Sequence, residues 1–376
     1  MSDRVPAEYA WRLKRLRDWM ARGNCDLVIL DSGEMLAWIS GYSVSETMYR
    51  AVFVPREGAP WFVLRALDLA PCRAGGWITD VVGYSDSADP VAVMTAELRR
   101  RGYGGARIGA DFNSISWNPV RAQGFAQALP QARLVDLRGA SEALRWVKSA
   151  FEIGQIARAA GIADATMAEI ARNAVPGTTA REAAAIAAGA FLRRGADTGE
   201  TGPILRAEGD HEFLHGVMRD DPLQPGDVLH VELIPTVARY GARLMRPVVI
   251  GTPSDRQRQV AAALIRLQDA QIAAMRPGIP ASEVDRILRK GVLDAGLRAE
   301  YDNVTAYTLG LYIRTPRSSD FSRVFLPDQH WVLEENMVFH VYASAAGLGF
   351  SETVVVKPQG GQRLTNAPRR LLVAGE

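Results

Sequence analysis

The clearest chemical pattern in this chain is HEFLH (211 to 215), which satisfies H-E-x-x-H, the zinc-hydrolase arrangement of two histidines one helical turn apart with a glutamate base. With five histidines in all, an accidental match is uncommon. The pattern needs a continuous helix to bring the rings of His211 and His215 to one face. Glu208-Gly209-Asp210 and Gly216 bracket it here, and Asp221-Pro222 follows, so a loop is the expected setting and zinc the minor reading. Two more histidines alternate with candidate polar groups along apolar runs. His230 shares a strand face with Glu232, and His340 shares one with Tyr342, so both could border a pocket or simply be packed. Cys25 and Cys72 form no C-x-x-C pair and read as buried thiols.

The elements that would hold these groups follow from punctuation and period. Apolar runs 228 to 234 and 244 to 250 flank Ala238-Arg239-Tyr240-Gly241 and predict an antiparallel hairpin with a tight connection. Upstream, a first helix is expected over 7 to 22, ending at Gly23, then short strands at 26–31, 51–55, 61–65, 107–111 and 132–137 and a helix at 90–102. The segment 142–167 leads into a long amphipathic helix expected over 151–174, followed by helices at 179–195, 254–275 and 281–296. A length of 376 residues points to two domains, and 48% hydrophobic with 23% charged residues is ordinary for globular protein. A net charge of +2 without basic clusters interleaved with aromatics argues against nucleic acid as a partner, and no run of 18 apolar residues argues against a membrane span. The charged N-terminus lacks a leader-like apolar core, which leads to the expectation of a cytoplasmic protein.

The hairpin resembles the V-x-D-x-G-x(5)-Y-x-x-D-x-T-R-T metal-site hairpin of the pita-bread hydrolases, the family of creatinase, prolidase, aminopeptidase P and methionine aminopeptidase. EALRWVKSAFEIGQIARAAGIADATM (142 to 167) is similar to the family's domain boundary, and RPGIPASEVDRILRKGVLDAGL (276 to 297), EENMVFHVY (334 to 342) and AGLGFSETVVV (346 to 356) resemble its later segments. The resemblance implies an α/β (α+β) chain, with a small mixed α/β creatinase-type domain over 1 to 145 and a pita-bread catalytic domain over 146 to 376.

Carried over residue by residue, the five metal-ligand positions fall on Glu232, Arg243, Tyr307, Tyr342 and Ser351, so one carboxylate of five ligands remains and neither metal nor other cofactor is expected. The resemblance is closest in character to the metal-free creatinase, in which a histidine eleven positions before the hairpin glycine acts as acid and base. His215 stands there, and an imidazole can take a proton from water and give it to a leaving nitrogen. The same frame makes Glu232 and Glu352 companions in catalysis and places His211, Tyr240, Arg243, Tyr307, His340 and Tyr342 around a small-molecule substrate, Arg243 as a carboxylate clamp. Glu232 and Arg243 could equally be a structural ion pair. A homodimer is implied too, with Tyr49 and Arg50 of the loop 41–50 reaching a neighbouring subunit's site. The expected function is metal-independent hydrolysis of a non-peptide C–N bond (amidine, cyclic amidine or amide) in a carboxylate-bearing substrate. The alternatives are a binding protein without catalysis, a lyase, and, less favoured, a metal-dependent dipeptidase or a zinc hydrolase through His211 and His215.

Overall fold

The computed structural model describes residues 6–42, 48–209, 212–311 and 322–375. Its chain forms two compact units, one built on the residues up to Arg145 and the other on those from Trp146.

In the first unit α1 (Ala7–Arg22) buries Leu13, Leu16 and Met20, a stripe at helical spacing, and stops at Gly23. The strands β1 (Leu27–Leu30), β2 (Ala51–Pro55), β3 (Trp61–Arg65), β4 (Val81–Tyr84), β5 (Arg107–Ala110) and β6 (Arg133–Asp136) make one sheet in the order β4-β3-β2-β1-β5-β6. It is mixed, since β1 pairs antiparallel with β2 and parallel with β5. Between the strands run α2 (Gly33–Ser40), α3 (Leu69–Gly75), α4 (Pro90–Arg100) and α5 (Pro119–Ala128), and α6 (Ala140–Ala143) follows β6. Phe53 stacks on Trp61 at 5.3 Å within the core.

In the second unit α7 (Ala150–Asn173), α8 (Ala180–Arg193) and α9 (Asp255–Ala274) each open on a reciprocal cap: Ser149 with Glu152, Thr179 with Glu182, Ser254 with Gln257. After β7 (Ile204–Arg206) come β8 (Val228–Leu233) and β11 (Leu244–Val249), the expected hairpin, with Met245 opposite Glu232. Its tip is a further two-residue ladder, β9 (Thr236–Val237) on β10 (Tyr240–Gly241). Ala238 and Arg239 both turn left-handed there, at φ 48° and 67°, without a glycine. The Asp197 carboxylate accepts from both of their backbone N–H groups, at 3.0 and 2.6 Å, which holds the turn. Beyond α9 follow α10 (Ala281–Asp294), β12 (Ala306–Thr308), β13 (Val338–Ala345), β14 (Leu348–Lys357), β15 (Gly360–Arg363) and β16 (Leu372–Val373). The strands form two four-stranded sheets, β16-β11-β8-β7 and β12-β13-β14-β15, and every residue of β8, β11 and β13 is buried. Among the described residues no helix is long and apolar enough to cross a membrane.

Candidate functional site

Sheet geometry gathers the residues of the hairpin and the later strands into one cluster. Glu232 on β8 accepts from Arg243 Nη1 at 3.0 Å, and the two side chains keep only 4% and 11% of their exposure. Thr353 of β14 fixes the arginine backbone, accepting from its N–H at 2.8 Å and donating to its carbonyl at 2.9 Å. The guanidinium carbon lies 5.3 Å over the Tyr307 ring. Tyr307 in turn meets His340 edge-on at 4.9 Å and Tyr342 at 6.0 Å, and His340 stacks on Tyr342 at 5.2 Å. Ser351 is the register partner of Tyr342. All five positions assigned by the resemblance therefore converge.

Most of this cluster is neutral. Burial, reinforced by the Arg243 charge, holds the His340 imidazole well below its usual pKa, and burial alone brings His230 down to about 3. Burial raises the Tyr342 phenol, whose oxygen accepts from Asn303 Nδ2 at 3.1 Å. Gly202 lies so close to β8 that a Cβ there would stand 2.6 Å from the Glu232 carbonyl oxygen. Neither Asn303 nor Gly202 stood out in the sequence, because each acts through a contact far along the chain.

Glu352, expected to take part in catalysis, is committed elsewhere. Its Oε1 accepts from Arg246 Nη2 and Arg369 Nη1, both at 2.6 Å, and its Oε2 accepts from Thr365 Oγ1. Arg246 also reaches the carbonyls of Met245, Ser351, Ala367 and Pro368. This knot, in which Arg246, Glu352 and Thr365 are fully buried, ties β11 and β14 to the segment 365–369. Tyr240, expected at the substrate, donates to Glu152 Oε1 at 3.0 Å, so one carboxylate both caps α7 and holds the hairpin tip. His230 is fully buried, edge-on to Phe213 at 4.9 Å. The HEFLH stretch carries a 3₁₀ turn at Glu212–His215 rather than an α-helix, and His215 is exposed. His211 lies outside the described residues, as do residues 43–47 of the loop 41–50. In the first unit, Tyr49 donates to Asp31 Oδ2 at 3.1 Å beneath Arg121, and Arg50 is buried.

Residues 154–358 match the profile of metallopeptidase family M24, and residues 12–147 match that of the creatinase/prolidase N-terminal domain. The chain is 28% identical over 385 residues to a probable dipeptidase PepE of Mycobacterium bovis, covering 99% of this chain and 98% of that one. It is 24% identical over 371 residues to an Xaa-Pro dipeptidase of Lactobacillus delbrueckii, covering 96% and 98%. The crystal structure of dipeptidase PepE from Mycobacterium ulcerans superposes with a TM-score of 0.80 at 25% identity, covering 98% and 99%. The pita-bread architecture behind a creatinase-type N-terminal domain thus stands. The expected hydrolase of non-peptide C–N bonds does not: the named relatives along the whole chain are dipeptidases, which points to peptides in place of amidines.

Metallopeptidase implies metal ions, and the donors found here do not fit them. Divalent ions are held by carboxylates and imidazoles. In this cluster a single carboxylate already faces a guanidinium at 3.0 Å, and the other positions are two phenols and a hydroxyl. Among the described residues no group of three or more His, Cys, Asp or Glu side chains could hold a metal ion.

Proposed function

This chain belongs to metallopeptidase family M24, and from that premise we propose that its ligand is a short peptide, held at the cluster of Glu232, Arg243, Tyr307 and Tyr342 by side chains in place of metal ions. The observation that carries this reading is the Arg243 guanidinium, paired with Glu232 at a position where a divalent ion would meet a fixed positive charge. At an effective dielectric of ~20 that repulsion amounts to several kcal/mol at contact distance. The dipeptidase names of relatives matched over 96–99% of the chain support the ligand class. A panel of dipeptides that includes Xaa-Pro, titrated calorimetrically with EDTA or with added Mn²⁺ or Co²⁺, tests it. Binding that is equal in both conditions is expected. Binding or cleavage that requires added metal refutes the metal-free part, and no binding by any peptide refutes the ligand class.

Peptide-bond hydrolysis is the second reading, favoured by the same names. In it the exposed His215 supplies the proton-transfer group. Product analysis of the same panel decides it, and His215→Ala turning over at the wild-type rate excludes His215 from the role. A homodimer in the cytoplasm completes the proposal. Light scattering is expected to give twice the 41.0 kDa chain mass, and a single-chain mass at micromolar concentration overturns the dimer.

A further inference from the structure

Arg298 is a buried cation for which the described residues supply no anion. It is 4% exposed, yet no carboxylate among the described residues pairs with it, and its Nε lacks a hydrogen-bond partner. Its contacts are neutral: Nη1 donates to Asn303 Oδ1 at 2.9 Å, and the guanidinium carbon lies 4.1 Å over the Tyr301 ring. The nearby acid, Asp285, is engaged with Arg289 at 2.6 Å and with Thr305. Other buried or largely buried arginines of this unit behave differently. Arg243 has Glu232, Arg246 has Glu352, and Arg289 has Asp285. A guanidinium taken out of water without a counter-ion costs several kcal/mol, more than a cation–π contact and an amide hydrogen bond return. Such a charge is kept where something else completes it.

Position says what it could complete. Asn303 is half-buried and bridges Arg298 to the cluster, accepting from Arg298 and donating to the Tyr342 hydroxyl. Tyr342 is edge-on to Tyr307, the ring beneath Arg243. Since Glu232 offsets Arg243, Arg298 leaves the described part of this assembly with one positive charge in excess. Arginine presents a rigid fork that matches a carboxylate with two parallel hydrogen bonds. We infer that Arg298 receives the free carboxylate of the ligand beside Asn303 and Tyr342, making it a specificity-determining residue. This rests on the short-peptide reading and adds that the peptide must end in a free acid.

The test compares alanylproline with its C-terminal amide, alanylprolinamide, and with N-acetylglycine, a carboxylate without a free amine, by calorimetry on the full chain. Wild type is expected to prefer the acid over the amide by roughly tenfold to hundredfold, the worth of a charge-assisted contact. Arg298→Met is expected to lose that preference while melting at or above the wild-type temperature, because it removes an uncompensated buried charge. A merely structural arginine would melt lower and leave the preference unchanged, which overturns the inference. Asn303→Asp supplies an internal counter-ion and is expected to abolish the preference too, an independent check should Arg298→Met not fold. Equal affinity of wild type for acid and amide sinks the carboxylate role while the short-peptide reading survives. N-acetylglycine binding through Arg298 when no dipeptide binds does the opposite. If no acid binds, both readings fail.

Discussion

Replacing Glu352 by glutamine separates an anchor from a catalytic group. The carboxylate is fully buried and takes 2.6 Å contacts from both Arg246 and Arg369 on one oxygen, with Thr365 on the other. Glutamine keeps the shape but removes the negative charge, so the fully buried Arg246 and the largely buried Arg369 are left repelling each other, with Asp269 at 2.7 Å from Arg369 as partial relief. Breaking a buried pair by neutralising one partner costs about 3–5 kcal/mol. For a unit of this size, each kcal/mol moves the melting temperature by roughly 2–4 °C, so Glu352→Gln is expected to melt ~6–20 °C lower. Urea unfolding followed by tryptophan fluorescence should show the same loss as a lower midpoint. If Glu352 instead served chemistry, the variant would fold as well as wild type and lose only turnover. A stability change under ~1 kcal/mol would refute the reasoning from the arginine knot.

Arg243→Met strands Glu232 as a buried charge and is expected to cost about 3–5 kcal/mol in thermal unfolding, most of it recovered in Arg243→Met with Glu232→Gln; equal destabilisation of the two variants would show that the pair is not the issue. Tyr240→Phe deletes the bond to the Glu152 carboxylate and should lower stability by ~1.5–3 kcal/mol in urea titrations; an unchanged midpoint would show that this bond does not hold the hairpin tip. Asp31 supplies a pH signature for the first unit: burial raises its carboxyl from 3.8 to about 6, against hydrogen bonds from Ser114 and Tyr49. Because the folded value is the higher one, its contribution of about 3 kcal/mol is fully present below pH ~3.8 and is lost as pH rises through 6. Asp31→Asn should therefore flatten the stability profile between pH 4 and 7 relative to wild type, and identical profiles would contradict the assignment.

What was legible in the sequence was whatever repeats with a period or carries its own punctuation. The helices Ala7–Arg22, Pro90–Arg100, Asp255–Ala274 and Ala281–Asp294 end within two residues of expectation, and the hairpin strands coincide with their apolar runs. The helix Gly33–Ser40 escaped because seven of its eight residues are buried and no polar face marks a period. The long helix expected over 151–174 runs from Ala150 to Asn173, opened by the Ser149 and Glu152 cap. The site was legible as positions and not as partners. The family resemblance marks where Glu232, Arg243, Tyr307, Tyr342 and Ser351 sit, but the job of a charge depends on partners that a resemblance does not reveal. Glu352 was expected to take part in catalysis because the resemblance put it where creatinase has its C-terminal histidine, yet Arg369 and Thr365, which claim it, lie 17 and 13 residues further on. Arg298 drew no notice, being one arginine in a chain with 44 basic residues. Only the fold shows that acids answer Arg243 and Arg246 while none among the described residues answers Arg298. The informative signal at this site is an imbalance of buried charge, which exists only once the chain is folded, and it turns a likeness to dipeptidases into a claim about which end of a peptide is read.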